Sequence, residues 1–248
     1  RPSIAVDFSH QQSNWDGLSA VFGTPRFEHI TGSLVGEQDI VSRAAVLIVP
    51  MPFHCRLSSM ECDVLEERVR AGAGLLLLGY YGERHHEANL SELAWRFDLT
   101  FGDDLVLNLG YQEGDTRSHV FSRDPRFALC VPISTPTTPS RILDGVGELA
   151  LPSCATVSKT ATVQLELEVT SPATSAILHP LGHIRPDGGR PVVESWILHD
   201  HRAAPVLAAL RSGKGKVAVV GTWKFVTLDA VNNWRLFENL LAWLSSPE

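Results

Sequence analysis

The chain has 248 residues, 44% of them hydrophobic and 20% charged, and its 21 basic and 28 acidic residues give a net charge of −7. That length supports one large domain or two small ones with a substantial core. The basic residues are scattered, which argues against nucleic acid as the main partner, because phosphate-backbone binding draws on clustered Lys and Arg.

No apolar run approaches the about 20 residues that span a bilayer, and no stretch reads as a signal peptide. Cys55, Cys62, Cys130 and Cys154 are widely spaced and form no CxxC pair. They predict reduced, buried thiols in a cytosol-like compartment, and hence a cytoplasmic protein, rather than a disulfide framework or a zinc site. Arg1 stands where a Met would start a chain, and a strand follows almost at once; this predicts an excised domain or a processed chain.

Taken in order, the first hundred residues alternate strand and helix. Residues 4–7 (IAVD) read as a short buried strand, 15–22 (WDGLSAVF) as a short helix, 26–30 (RFEHI) as a strand and 36–43 as a helix. AAVLIVP at 44–50 is a continuous apolar run of the buried parallel-strand type. Ser58-Ser59-Met60-Glu61 supplies a capping box for a helix expected to bury Met60, Val64, Leu65 and Val69 and to stop at Gly72-Ala73-Gly74. GLLLLGYYG at 74–82 is the next buried strand. Asn89 then caps a helix whose Leu90, Leu93, Ala94 and Phe97 recur on one face.

The middle is different. Residues 105–200 carry many of the prolines and long β-type runs. Val163, Leu165, Leu167 and Val169 alternate with polar residues as in a half-buried strand, and a hairpin is expected at Asp187-Gly188-Gly189. The α/β pattern then resumes: HRAAPVLAALRSG reads as the helix before the buried strand KVAVVG at 216–221, with Arg211–Lys216 as a solvated helix-to-strand turn. A closing helix sets Trp234, Phe237, Leu240, Leu241 and Leu244 on one face. The whole reads as a single α/β domain over 1–248, a doubly wound and mostly parallel sheet with a β-rich insertion or sheet extension at about 105–200.

Ligands of open parallel sheets bind at the carboxyl ends of the strands. Four such ends are chemically rich here, and they nominate Asp7, Ser9, His10 and Gln11; Pro52 and His54; Tyr80, Tyr81 and Glu83; and Thr222, Trp223 and Lys224 as ligand-facing residues. The blander reading is that turns need solvated and capping side chains.

Nucleophilic catalysis would take Cys55 as the thiol with His10 or His54 as base. Yet Cys55 lies between His54 and Arg56, five residues past its strand and without the small neighbours of a nucleophile elbow. Ser9 beside His10 fails for a related reason, since sequence neighbours seldom align for proton transfer. His179, His183, His199 and His201 could converge on a metal if their β-runs pair, although no HExxH-type signature accompanies them. Gly145-Val146-Gly147-Glu148-Leu149-Ala150 fits a GxGxxA string but lacks the strand–turn–helix context of a dinucleotide site.

Several stretches together carry a family resemblance. They are the DFSH loop after the first strand, the apolar strand ending in Pro, the capped helix, LLLLG, FDLTFGDDLV, GKGKVAVVGTWKF and NWRLFENLLAWL. This pattern resembles the GIFT domain of gliding-motility transporter-associated proteins and of a subunit of the intraflagellar-transport complex. The resemblance implies a flavodoxin-like or class I glutamine amidotransferase-like sheet that generally lacks catalytic machinery and serves binding and assembly. It matches Asp7, Ser9 and His10 to the family's polar loop, and Gly221 and Thr222 to the end of its last strand.

The expectation is therefore a non-catalytic ligand-binding or protein-interaction domain of a larger bacterial protein, without cofactor or bound metal. Its partner would be another protein or a small polar, sugar-like or nucleotide-like ligand, and the domain could form oligomers. The alternatives are a hydrolase or amidotransferase-like enzyme using His10 with Cys55 or Glu83, and a metal site in the β-rich segment.

Overall fold

The computed structural model describes residues 2–10, 15–108, 128–132, 140–160, 162–181, 185–187, 190–192, 195–227 and 232–247. Strand and helix alternate first: β1 (Ile4–Asp7), α1 (Trp15–Phe22), β2 (Phe27–Ile30), α2 (Gln38–Arg43), β3 (Val46–Pro50), α3 (Ser59–Arg70), β4 (Gly74–Leu78) and α4 (Leu90–Trp95). The insertion carries β5 (Leu99–Phe101), β6 (Leu105–Asn108), β7 (Ala128–Pro132), β8 (Glu148–Pro152), β9 (Val157–Lys159), β10 (Leu167–Thr170), β11 (Ser175–Leu181), β12 (Arg185–Asp187), β13 (Arg190–Val192) and β14 (Ser195–His201). β15 (Pro205–Ser212), β16 (Gly215–Val220) and α5 (Asn233–Ser245) close the chain.

The main sheet has seven strands in the order β10-β15-β16-β4-β3-β1-β2. β2, β1, β3, β4 and β16 run parallel, and β15 and β10 extend the sheet by antiparallel pairing. Strands β1, β3, β4 and β16 are buried along their whole length, which an all-apolar run allows only when both sheet faces are covered. α3 and α5 both pack on β4 and β16, and α1 meets α5 through Phe22 and Phe237, whose rings lie 6.0 Å apart edge to face. The doubly wound, flavodoxin-like order 2-1-3-4-5 is therefore present, with β16 as the fifth parallel strand. Smaller sheets, β14-β11-β6, β12-β13, β5-β9 and β7-β8, make the β-rich insertion.

Several expectations shift in physical detail. The α3 capping box forms, with Ser58 Oγ accepting from Glu61 N and the Glu61 carboxylate accepting from Ser58 N at 2.9 Å. Met60, expected in the core, is 61% exposed, and Val64 is only partly buried. The inward stripe starts one residue later, on Glu61, Cys62, Leu65 and Val69, because the Glu61 carboxylate turns inward. Asn89 makes no side-chain cap on α4; its amide pins Leu57 instead, donating to Leu57 O at 2.9 Å and accepting from Leu57 N at 2.8 Å.

The helix expected before β16 is strand β15. Its residues 206–210 are buried without a break, so the run VLAAL is a covered strand rather than one face of a helix. Ser212 pairs with Gly215 across a tight hairpin in which Gly213 supplies the positive φ of +59°. Lys216, expected in solvent, is 3% exposed and closes the end of α5, donating to Trp243 O at 3.0 Å and Ser246 O at 2.6 Å. The alternating stretch 163–169 is a strand only from Leu167, which pairs with Ala209 of β15. The expected turn at 187–189 sits between the paired strands β12 and β13, with residues 188 and 189 outside the described residues. The GxGxxA string leads into strand β8, not a helix.

Candidate functional site

In this strand order the sheet reverses direction of progress between β1 and β3, and the loops leaving those two strands border the crevice where such folds place ligands. Phe53 N donates to His10 O at 3.3 Å and ties the two loops together. Asp7, at the last position of β1, is fully buried. Its Oδ1 accepts from Ser9 N at 2.9 Å and from Ser9 Oγ at 2.5 Å, while Oδ2 faces His10 Nδ1 at 2.7 Å. On the other side of the imidazole, His10 Nε2 lies 3.5 Å from Glu61 Oε2. Glu61 in turn accepts from Ser58 N, from Ser58 Oγ at 2.8 Å and from Leu34 N at 3.3 Å. One carboxylate thus serves as both the cap of α3 and the second anion on His10.

Burial of His10 opposes its charge, but the Asp7 hydrogen bond and charge, with Glu61 behind them, outweigh it and raise its pKa above 6.5. Burial likewise opposes ionisation of Glu61, and the Ser58 hydrogen bonds with the His10 charge overcome it, so its pKa falls below 4.5. The ring is held between two carboxylates, both of which favour its protonated form. Ser9 Oγ does lie 2.9 Å from His10 Nδ1, closer than sequence neighbours usually come. That nitrogen, however, is the one facing Asp7, and the Ser9 proton is itself directed at Asp7. The arrangement resembles a triad in composition, but Ser9 Oγ and His10 Nδ1 are both turned on the Asp7 carboxylate rather than on each other in series.

The other candidates of the first loops fall apart from this group. Glu83 accepts from Ser91 N at 2.7 Å and from Ser91 Oγ, and burial raises its pKa despite those bonds. Cys55 is partly exposed, not buried, and the left-handed position (φ +54°) falls on His54 before it, so the thiol does not stand on the turn. His54 is exposed, 3.9 Å from Glu87. Pro52 is buried, and Gln11 lies outside the described residues. Cys62 and Cys154 are buried free thiols.

A second group forms where β4 and β16 end. Tyr80, Tyr81 and Trp223 gather with Phe53 and His86, which the sequence did not nominate. Tyr80 lies 4.5 Å from Tyr81, 5.6 Å from Phe53 and 5.9 Å from Trp223, and Phe53 lies 4.8 Å from His86. Lys224 Nζ sits 5.1 Å above the Tyr80 ring and 5.9 Å from that of Trp223. Burial lowers the Lys224 pKa, with Tyr81 opposing, and burial raises the pKa of both tyrosines. Thr222 is fully buried and donates to Pro152 O at 2.7 Å, and Trp223 N donates to Gly79 O at 2.7 Å.

The insertion roofs this half of the edge at two glycines. A Cβ at Gly79 would stand 2.6 Å from the Phe101 ring, and one at Gly221 would stand 2.1 Å from Ala155 O. Only residues without a side chain let the insertion come so close.

The runs carrying the middle histidines do pair, with His179 opposite Ile197 and Ala176 opposite His201. His179 Nδ1 lies 3.3 Å from Asp103 O. His183 and the side chains of His199 and His201 lie outside the described residues, among which no three His, Cys, Asp or Glu side chains are grouped to hold a metal. Two grooves open at the amino ends of the strands: one of about 1030 Å³ beside Arg141, Glu166, Arg211 and Trp243, and one of about 670 Å³ beside Pro2, Pro25, Arg26 and Glu238.

Comparison with known proteins places the fold. No family model and no curated protein matches the sequence. Among solved structures, the mmIFT52 N-terminal domain is similar over 99% of both chains, with TM-score 0.68 and 16% identity. A putative ThuA-like protein from Bacteroides uniformis is similar over 98% of this chain and 90% of its own, with TM-score 0.52 and 11% identity. A β-galactosidase from Bacillus circulans is similar over 97% of this chain, with TM-score 0.51 and 14% identity, but this chain spans only 31% of that enzyme. The chain has the class I glutamine amidotransferase-like fold of the ThuA-like protein, and its architecture follows that of the mmIFT52 domain from end to end. No helix among the described residues is long and apolar enough to cross a membrane.

Proposed function

We propose that this chain is a GIFT-type binding domain that works without catalysis, using the carboxyl edge of its sheet to hold another protein or a small polar ligand. The observation that carries the reading is the His10 imidazole locked between Asp7 and Glu61. His10 has a carboxylate at each ring nitrogen, at 2.7 Å and 3.5 Å, so the residue best placed to be a base serves as a buried ionic joint between β1 and α3. Glu83 is engaged by Ser91, in a separate environment from His10. Full-length likeness to the mmIFT52 N-terminal domain supports the family reading, and the amidotransferase-like fold leaves the function to the residues at the site.

Ser9, His54, Tyr81 and Lys224 reach the surface and would face the ligand; Asp7, His10, Tyr80, Glu83, Thr222 and Trp223 would shape the walls behind them. A panel of glutamine, aryl esters and β-galactosides, measured on the wild type and on His10→Gln and Cys55→Ala, tests the reading. The expected result is no turnover that depends on either residue. Turnover lost in a folded His10→Gln or Cys55→Ala variant overturns it in favour of a hydrolase or amidotransferase.

A further inference from the structure

We propose that Lys224 Nζ and Trp223 Nε1 form a carboxylate-binding site for a small organic acid at the ends of β4 and β16. The proposal rests on the binding-domain reading above and names the ligand chemistry at that edge.

Two donors at this point have no acceptor among the described residues. Trp223 is only 7% exposed, and its indole N–H has no hydrogen-bond partner among the described residues. Such groups are rare, because a buried donor that gives up water and gains nothing destabilises the fold. The ring lies against α1, where a Cβ on Gly17 would stand 3.4 Å from it.

Directly above, the half-buried Lys224 ammonium has aromatic faces beneath it and, among the described residues, no carboxylate paired with it. Two buried basic side chains near the sheet contrast with it: His10 faces Asp7 and Glu61, and Lys216 donates to the last carbonyls of α5. Lys224 and Trp223 are adjacent in sequence and unsaturated together.

The two donors select the ligand chemistry. Nζ stands 5.9 Å from the centroid of the Trp223 ring, whose edge carries Nε1. A carboxylate offers two oxygens, each able to accept a hydrogen bond of about 2.9 Å, so one carboxylate can engage an ammonium and an indole N–H that belong to neighbouring side chains. A single positive charge and one neutral N–H match a monoanion. A phosphate dianion calls for more positive charge than this edge of an acidic chain provides. The aromatic floor of Tyr80 and Trp223 would carry the apolar part of the acid.

The test follows the indole N–H resonance of Trp223, assigned by Trp223→Phe, while the full chain is titrated with glucuronate, benzoate or glutamate. Glucose, benzamide and glutamine serve as their uncharged counterparts, and inorganic phosphate as the other anion. The expected result is a saturable downfield shift of that one resonance with at least one carboxylate and none with its counterpart. Affinity should fall about tenfold or more in Lys224→Gln, the effect of losing one charge-assisted hydrogen bond. If Trp223→Phe fails to fold, Lys224→Gln alone decides, since it must weaken the same shift.

No response to any carboxylate, an equal response to the counterparts or to phosphate, or an unchanged affinity in Lys224→Gln overturns the proposal. The same spectra separate this failure from that of the binding-domain reading. A carboxylate that binds and is consumed refutes the latter alone, whereas silence without turnover refutes only the carboxylate site.

Discussion

The carboxyl edge of this sheet has two halves, and they solve the same physical problem in opposite ways. At β1 and β3 the buried polar groups saturate one another: Asp7, Ser9, His10, Glu61 and Ser58 form a closed chain of hydrogen bonds and charges. At β4 and β16 the groups are larger and more aromatic, and Lys224 and the Trp223 indole stand without a counter-group among the described residues. The first half spends its polarity on holding loops in place, and the second keeps some in reserve. A closed network rigidifies, whereas an open one is where a ligand can gain by binding. Being polar at a strand end is therefore not what marks a site; being unsatisfied there is.

Breaking the first half should have the largest effect. His10→Ala removes the cation between two inward carboxylates, and leaving a buried charge uncompensated costs about 3–5 kcal/mol. Urea unfolding of the variant should show a loss of that order, and a loss under about 1 kcal/mol would mean that water already screens the cluster. The pH dependence has a definite shape. The pKa of His10 is raised in the folded state, so its contribution is whole below pH 6.5 and is lost as pH climbs through the folded value. That of Glu61 is lowered, so its contribution is whole above pH 4.5 and is lost as pH falls through the folded value. Stability from this network should peak between those values and decline on both sides. His10→Gln should abolish the alkaline decline, and its persistence in that variant would assign the decline to another group.

The second half is tested through its roof. Gly221→Ala drives a Cβ to 2.1 Å from Ala155 O and 2.6 Å from Cys154 Sγ, both inside the insertion packed on β16. Overpacking of this kind costs about 1–3 kcal/mol. Gly79→Ala meets mainly the edge of the Phe101 ring, which can shift more easily than backbone, so its cost should be the smaller of the two. Thermal melts of both variants check the order. The reverse order would show that the insertion, rather than the sheet, yields at this junction.

How much of this was legible beforehand follows from what each signal measures. β1, β3 and β4 were readable because uninterrupted apolar runs bounded by turns have few other solutions. The same logic misread β15: VLAAL is apolar on every side, and its alanines suit a helix until the sheet claims both faces. The α3 capping box was legible as a local pattern, but the second role of Glu61 was not, because its partner His10 comes from a distant loop. Met60 lies off the buried stripe of Glu61, Cys62, Leu65 and Val69 and faces water. In the aromatic group, Tyr80, Tyr81, Trp223 and Lys224 were nominated by their places after strands, whereas His86 and Phe53 join through tertiary packing that no sequence spacing displays. Composition located the edge, and only the three-dimensional pairing showed which donors were left over.

The smallest effect on stability is the one that separates the halves most sharply. Lys224→Gln removes a half-buried ammonium whose attraction to the Tyr80 and Trp223 rings, about 0.5–1 kcal/mol, is offset by the desolvation that lowers its pKa. The net change in urea stability at neutral pH should stay within about 0.5 kcal/mol. The sign against pH also differs from that of His10. A lysine whose folded pKa lies below its ordinary 10.5 destabilises while charged in the fold, and the penalty disappears as pH rises through the folded value toward 10.5. Wild type should therefore gain slightly on Lys224→Gln as pH rises through that window. A loss in Lys224→Gln comparable to that of His10→Ala would show that Lys224 is a structural ion after all, with both halves of the edge closed. A near-neutral result leaves it a charge the fold does not need, beside a buried N–H with no acceptor among the described residues, at the end of the sheet where a ligand supplies the missing partner.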